Sequence, residues 1–119
     1  MEFAFRMPKF PVLVDACSAL LCARTPTELR DKISCLSISD EATCWVIDAT
    51  AEVFAFRPST KLVMPSLAQR RRTKTQLIAL YNARRLPGQK EYTNASLGSK
   101  RVERVAADLV SLLAGHSGA

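Results

Sequence analysis

Four cations stand close together at Arg70, Arg71, Arg72 and Lys74, and Thr73 among them marks the start of a predicted helix. Guanidinium groups bind phosphate through paired hydrogen bonds, and the free N–H groups at a helix start also attract anions. Cations at this end of a helix oppose its dipole, so an external anion would relieve that repulsion. These residue types at this spacing therefore indicate a phosphate site.

A second group of cations surrounds the start of the last predicted helix. Ser99 is its expected N-cap, Lys100 and Arg101 follow, and Arg104 lies one turn further on. Antiparallel packing of the two C-terminal helices would place the two basic groups roughly 20 Å apart, whereas parallel packing would join them. The candidate anion-binding residues are Arg70, Arg71, Arg72, Lys74, Lys100, Arg101 and Arg104.

The charge of the whole chain is distributed unevenly. Residues 1–69 carry seven Lys/Arg and eight Asp/Glu, whereas residues 70–119 carry ten and three, within a net charge of +6. This asymmetry predicts an anionic partner, and nucleic acid, either DNA or RNA, is the leading expectation. The competing interpretation is a solvated basic surface, or one that pairs with the protein's own carboxylates.

Residues for catalysis are sparse. The single histidine, His116, lies in a tail that contains Gly and Ser, where nothing would hold it beside a nucleophile. Asp48 and Glu52 could approach each other, but no metal-binding pattern accompanies them. We therefore expect a protein that is not an enzyme and that has no metal and no cofactor.

The cysteines do not form a recognisable metal motif. They are Cys17, Cys22, Cys35 and Cys44, without a Cys-x-x-Cys pair or a nearby histidine. Because 48% of the 119 residues are hydrophobic, the core can support the fold without disulfides. We expect reduced thiols in a cytoplasmic protein.

Composition predicts one folded domain over residues 1–119, with a basic helical part at 70–115 and a disordered tail at 116–119. The chain has no run of 18 apolar residues, so we expect no membrane-spanning helix. Residues 10–23 resemble the apolar part of a signal peptide, but Asp15 interrupts them. We interpret that segment as a buried helix.

The predicted architecture is a single α+β domain in which a small antiparallel sheet of about three strands packs against N-terminal and C-terminal helices. Residues 1–6 are a further candidate strand, and Ser39 could instead begin a helix that replaces the first two strands of the sheet. The predicted helices cover residues 10–23, 26–35, 74–86 and 100–114, and the strands cover residues 44–47, 53–56 and 61–64. Capping boxes at Thr25/Glu28 and Thr73/Gln76 mark two of the helix starts.

Two helical faces and one set of aromatic residues suggest other binding modes. The apolar face of helix 100–114 covers about 160°, so the helix is either central or buried in a homodimer, and an assembly module is the alternative function. Helix 74–86 has an uncharged exposed face that could read bases or accept another helix. That face consists of Thr75, Gln76, Ala79, Asn82 and Ala83. The aromatic residues are Trp45, Phe54 and Phe56, which could stack on single-stranded RNA or simply fill the core.

Overall fold

The computed structural model describes residues 1–16, 19–36, 43–66, 70–85, 88, 91–92 and 100–117, and within them six strands form one sheet flanked by three helices. The strands are β1 (Glu2–Phe3), β2 (Val12–Asp15), β3 (Leu20–Ala23), β4 (Cys44–Ile47), β5 (Val53–Arg57) and β6 (Leu62–Pro65). The helices are α1 (Pro26–Ser34), α2 (Lys74–Arg84) and α3 (Val102–Ser117).

The strand order is β1-β6-β5-β4-β2-β3, and every neighbouring pair is antiparallel except β1 and β6, which run parallel. The α+β class and the single domain agree with the sequence prediction, but the small three-stranded antiparallel sheet is wrong. The predicted strands are the β4–β5–β6 meander, which forms only half of a six-stranded mixed sheet. The candidate strand at residues 1–6 is present as β1.

The missing strands come mainly from residues 10–23, where the prediction of a buried helix is wrong. This segment forms the β2–β3 hairpin, with Leu13 opposite Cys22. Strand β2 lies between β3 and β4, and its first three residues, 12–14, are fully buried. A strand covered on both faces reads as a continuous apolar run, which periodicity cannot distinguish from a buried helix.

Strands β4 and β5 pair directly, so the alternative helix that would begin at Ser39 and replace them is excluded. The turn that connects β4 and β5 contains no Gly or Asn. The buried side chain of Asp48 instead accepts the hydrogen bonds that hold this turn. The Asp48 Oδ1 atom accepts from the amides of Thr50 at 2.8 Å and Glu52 at 2.9 Å. Ala51 adopts a φ of 68°, a conformation that L-residues seldom take. Asp48 is therefore a structural residue of this turn.

The sheet separates two apolar layers. Helix α1 covers one face through Leu29 and Ile33, which pack with the valines of β2 and with the buried Phe54 and Phe56. Helices α2 and α3 pack on the β3–β2 side of the opposite face, against Leu13, Leu20, Cys22 and Ile47. Among the described residues, this packing does not include Trp45, Ala55 and Met64, which lie on the same face further along the sheet.

The wide apolar stripe of α3 is buried within the chain itself. Val105 and Leu109 are fully buried, and Ala106, Val110 and Leu113 belong to the same core cluster. The width of the stripe follows from two sets of neighbours, α2 on one side and the β2–β3 hairpin on the other. Of the two interpretations of this helix, the central position is the one observed.

The helix boundaries differ slightly from those predicted. Helix α1 ends at Ser34, one residue before the predicted end, and α3 runs from Val102 to Ser117, whereas the predicted helix covered residues 100–114. The Thr25 hydroxyl accepts from the Glu28 amide at 3.1 Å, as predicted, but the Glu28 carboxylate reaches the amide of Arg24. The predicted N-cap of α3, Ser99, lies outside the described residues.

Candidate phosphate-binding site

Helix α2 begins with the predicted capping box. The Thr73 hydroxyl accepts from the Gln76 amide at 3.2 Å, and the Gln76 side-chain oxygen accepts from the Thr73 amide at 2.9 Å. This exchange satisfies two of the amides that an anion could otherwise use. The start of α2 therefore offers fewer free N–H groups than the sequence suggests.

The arginines before α2 are held by their backbone against the start of β5. The Val53 amide donates to the carbonyl of Arg70, and the Arg72 amide donates to the carbonyl of Ala51, both at 2.8 Å. Arg71 lies opposite Glu52 in an isolated antiparallel bridge. Residues 70–72 thus form an extended strap, in which consecutive side chains point to opposite sides.

The arginine side chains of the strap differ in their exposure and in their contacts. Arg71 donates from Nη1 to the carbonyl of Thr50 at 3.2 Å, which fastens its side chain to the β4–β5 turn. Arg70 and Arg71 are exposed and Arg72 is half-buried. The three arginines therefore anchor the chain as well as adding positive charge.

The starts of α2 and α3 meet at Lys74 and Lys100. The Lys74 ammonium donates to the backbone carbonyl of Lys100 at 2.8 Å. Further along both helices, Asn82 of α2 binds the backbone of Tyr92, and the Tyr92 hydroxyl donates to Asp108 of α3 at 2.8 Å. The first link joins the starts of the two helices, and the second joins residues further along both of them. Helices α2 and α3 therefore run in the same direction. The two predicted basic groups therefore form one region.

We call the residues around this meeting point the basic junction. It consists of Lys74 from α2, Lys100 and Arg101 immediately before α3, and Arg104 in the first turn of α3. The arginine strap reaches it directly through Thr73. All seven predicted anion-binding residues thus belong either to the junction or to the strap that leads into it.

A network of hydrogen bonds organises the α3 side of the junction. The Lys100 ammonium donates to the Tyr92 hydroxyl at 3.2 Å and to Asp108 Oδ2 at 3.1 Å, and lies 5.3 Å from the centre of the Tyr92 ring. Arg104 Nε lies 3.1 Å from the other Asp108 oxygen. The carboxylate of Asp108 thus holds two cations at fixed positions.

These contacts displace the protonation equilibria of both partners. Hydrogen bonds to Tyr92 and Asp108 raise the pKa of Lys100 above its ordinary value. Partial burial by itself raises the pKa of Asp108, but hydrogen bonds from Tyr92 and Lys100 and the nearby charge of Arg104 outweigh it and hold that pKa below its ordinary value. Near neutral pH, the junction therefore contains charged lysine and charged carboxylate.

The surface of the junction is a shallow depression of about 740 Å³ lined by Lys100, Arg101, Glu103 and Arg104. The carbonyl of Arg101 accepts the first hydrogen bonds of the helix, from the amides of Arg104 and Val105. The amides of the first turn that precede Arg104 have no acceptor inside the helix. Cationic side chains therefore lie beside the start of a helix, a combination that favours an anion.

Other cations lie away from this region. Arg84 is at the opposite end of α2, where its Nε lies 3.6 Å from the carboxylate of Asp15 on β2. Arg85 follows it and is exposed. Ten helical residues separate Lys74 from Arg84, which corresponds to about 15 Å of helix rise. The C-terminal end of α2 is therefore not part of the junction.

Three residues that organise the site, Asp108, Tyr92 and Asn82, were not predicted from the sequence as part of it. Asp108 and Arg104 stand four residues apart, a spacing that brings side chains together on a helix and could have indicated their pairing. Tyr92 and Asn82 gave no such signal, because their contact depends on how the connection between α2 and α3 returns to α2. Asn82 is occupied by this contact and is not part of a free recognition face.

The remaining candidate chemistry does not come together. Phe54 and Phe56 are buried beneath α1, so of the proposed stacking aromatics only Trp45 is partly exposed. Cys22, Cys35 and Cys44 are free thiols, and burial raises the pKa of Cys22, which disfavours its reactive thiolate. Cys17 lies outside the described residues, and the side chain of His116 is not among them either.

Within the described part of the chain, no group of three or more His, Cys, Asp or Glu residues could hold a metal ion. None of the helices among the described residues has the length and apolar character needed to cross a membrane. Comparison of the chain with models of protein families, with curated proteins and with solved structures finds no match. The function is therefore inferred from the site itself.

Proposed function

We propose that this protein is a non-enzymatic binding protein that contacts nucleic-acid phosphates through the basic junction. The observation that carries the proposal is the hydrogen bond between Lys74 and the carbonyl of Lys100, which brings two basic helix starts together. Successive phosphates along a nucleic-acid strand form an extended row of negative charge. A row of cations from two elements fits such a ligand better than it fits one isolated anion.

The charges of the junction support this proposal more than the net charge does. Asp108 neutralises part of Lys100 and Arg104, but Arg101 is exposed, and the strap adds further arginines immediately before α2. Contacts of this type position a protein on the phosphate backbone without reading the sequence. We therefore expect weak sequence preference and strong dependence on salt.

The experiment is a fluorescence-anisotropy titration against duplex DNA, single-stranded DNA and RNA at two salt concentrations. The test variant replaces Lys100, Arg101 and Arg104 with Ala. The control variant replaces three exposed cations elsewhere, Lys9, Arg24 and Arg30, with Ala and so has the same net charge.

If the junction binds phosphates, the slope of log K against log salt falls by roughly three in the test variant, about one per lost contact. The control variant keeps the slope of the parent protein. Equal losses in both variants would mean that only net charge matters. Absence of binding to all three nucleic acids at low salt would refute the proposal.

The alternative, an assembly module joined through helix α3, receives less support. Its motivation is the wide apolar stripe of that helix, and Val105 and Leu109 on the stripe are fully buried inside a single chain. The small residues Ala79 and Ala83 of α2 are exposed, but two alanines do not form a substantial apolar surface. We therefore do not base the proposal on a homodimer through α3.

A further inference from the structure

The cations of the basic junction are held in position by the chain itself. The Lys74 ammonium donates to the carbonyl of Lys100 at 2.8 Å, and the Lys100 ammonium donates to Asp108 Oδ2 at 3.1 Å. Arg104 Nε lies 3.1 Å from the other Asp108 oxygen, yet the Arg104 side chain is 71% exposed, so most of its N–H donors remain accessible to a ligand. The junction therefore presents positive charges at positions that are fixed before a ligand binds.

Tyr92, the aromatic residue of this network, is occupied by the protein. Its hydroxyl donates to Asp108 at 2.8 Å and accepts from Lys100 at 3.2 Å. The Lys100 ammonium lies 5.3 Å from the centre of the ring, and the ring also packs against the core cluster to which α2 and α3 contribute. A nucleobase could stack on this ring only by displacing the ammonium or the core side chains. The ring therefore supports the cations and is not a surface for bases.

Most other aromatic residues are covered by protein or lie far from the junction. The chain contains five Phe, two Tyr and one Trp, and the structure describes all of them. Trp45 lies opposite Asp15, the partner of Arg84 at the end of α2 that is remote from the junction. Five further rings pack within the protein: Phe54, Phe56 and Tyr81 are buried, and Phe3 and Phe10 pack edge to face.

Phe5 is the remaining aromatic residue, and it is 89% exposed. The cation next to it in the chain is Arg6, which forms an ion pair with Glu52 and is therefore partly neutralised. The ring does not belong to the described lining of the depression at the junction, which consists of Lys100, Arg101, Glu103 and Arg104. The exposed ring and the basic junction are thus separate features of the surface.

Fixed cations without a stacking ring fit a duplex better than a single strand. The bases of a duplex are already paired and stacked, and its phosphates form a regular row with one charge per about 1.7 Å of helix axis. A flexible single strand must lose conformational freedom when it binds, and proteins that bind single strands compensate by stacking the bases on aromatic side chains. The junction supplies cations for the phosphates and no accessible ring for the bases.

We infer that the basic junction binds the phosphate backbone of double-stranded nucleic acid and discriminates against single strands. The inference rests on the proposed function and specifies the ligand of the same site. Duplex DNA and duplex RNA both present a regular row of phosphates, so separate probes distinguish these two sources of the same chemistry.

Fluorescence anisotropy at one low salt concentration tests the inference with four probes of about 20 nucleotides per strand. They are duplex DNA, duplex RNA, a single DNA strand that cannot pair with itself, and the same strand with abasic sites in place of its bases. At least one duplex should bind about fivefold or more tightly than the intact single strand, and removal of the bases should weaken the single strand less than about threefold. A smaller preference for the duplexes, or a larger loss with abasic sites, would overturn the inference and leave the proposed function standing. Absence of binding to every probe would refute both.

Variants of the full chain test whether an aromatic ring binds bases. Phe5→Ala removes the exposed ring and Tyr92→Leu removes the ring at the junction, and each should change the affinity for the single strand less than about threefold. Tyr92→Phe keeps the ring and removes only the hydroxyl, so it should behave like Tyr92→Leu. Thermal unfolding monitored by circular dichroism verifies that each variant is folded. A larger loss of single-strand affinity in Phe5→Ala, or in Tyr92→Leu but not in Tyr92→Phe, would demonstrate stacking and contradict the inference.

Discussion

The Lys74 ammonium of α2 donates a hydrogen bond to the backbone carbonyl of Lys100, immediately before α3. This contact fixes the relative position of two helix starts that are far apart in the sequence. Because both starts carry cations, the contact concentrates positive charge that the chain itself only partly neutralises at Asp108.

Removal of the carboxylate at Glu103 should strengthen nucleic-acid binding. Glu103 lines the depression together with Arg101 and Arg104, so it repels a phosphate that approaches them. We expect Glu103→Gln to raise affinity about two- to threefold at low salt, and the gain should shrink as salt increases. Anisotropy titrations with the same duplex provide the measurement. Unchanged affinity at both salt concentrations would place the phosphate elsewhere.

The Asp108 network predicts a pH-dependent contribution to stability. Because the pKa of Asp108 is lowered in the folded protein, its stabilising contribution is present above the ordinary carboxyl pKa of about 4 and is lost as pH falls through the folded value. Urea denaturation should therefore show that Asp108→Asn is less stable than the parent protein at pH 6. The difference should narrow towards pH 3. A difference independent of pH would show that the pairing with Lys100 and Arg104 contributes nothing.

Replacement of Asp48 should destabilise the protein although it lies in a turn. Its carboxylate is 2% exposed and accepts hydrogen bonds from the Thr50 amide and hydroxyl, the Glu52 amide and the Lys9 amide. Asp48→Ala should lower the free energy of unfolding by about 2–4 kcal/mol, since it leaves several donors without a partner. The control is Asp31→Ala, at an exposed position on α1. This variant should change the free energy of unfolding by less than about 0.5 kcal/mol.

Lys61 offers a stabilising substitution. It ends the turn between β5 and β6 with a φ of 56°, and it is exposed. Lys61→Gly should raise the free energy of unfolding by about 0.5–1 kcal/mol, because glycine adopts this conformation without steric cost. Lys61→Ala removes the same side chain but retains the strain, so it should give no such gain. Chemical denaturation of the parent protein and both variants in parallel measures these differences in the free energy of unfolding.

The internal burial of α3 can be separated from a dimer interface. Leu109 is fully buried in the single chain, so Leu109→Ala should lower the free energy of unfolding by about 3 kcal/mol. The unfolding midpoint of the parent protein should not depend on protein concentration, because the chain itself covers the apolar stripe of the helix. A midpoint that rises over a hundredfold range of concentration would show that the helix is also part of an oligomer.

Local signals in the sequence were sufficient for several elements. Thr73 and Gln76 marked the start of α2, and Thr25 and Glu28 marked the start of α1. The β2–β3 hairpin was missed because a strand buried on both faces has no alternating pattern. Residue types alone identified the cations of the candidate site.

The arrangement of that site could not be read from the sequence. The direction of α3 relative to α2 depends on contacts made by Tyr92, and the strap at residues 70–72 depends on the position of β5. Tertiary contacts of this type have no local pattern. The exposure of Met64 was equally hidden, because methionine is a residue type expected for a core.

The strand order has a consequence for the sequence of events in folding. Among the described residues, strand β1 pairs only with β6, so Glu2 has no ladder partner until Leu62 has been synthesised. Strand β2 likewise gains its second neighbour only when β4 emerges. Pairings between distant segments form late because closing long loops is entropically costly. The first stable unit on the ribosome is therefore expected to be the β4–β5–β6 meander, on which the N-terminal strands then assemble from both sides.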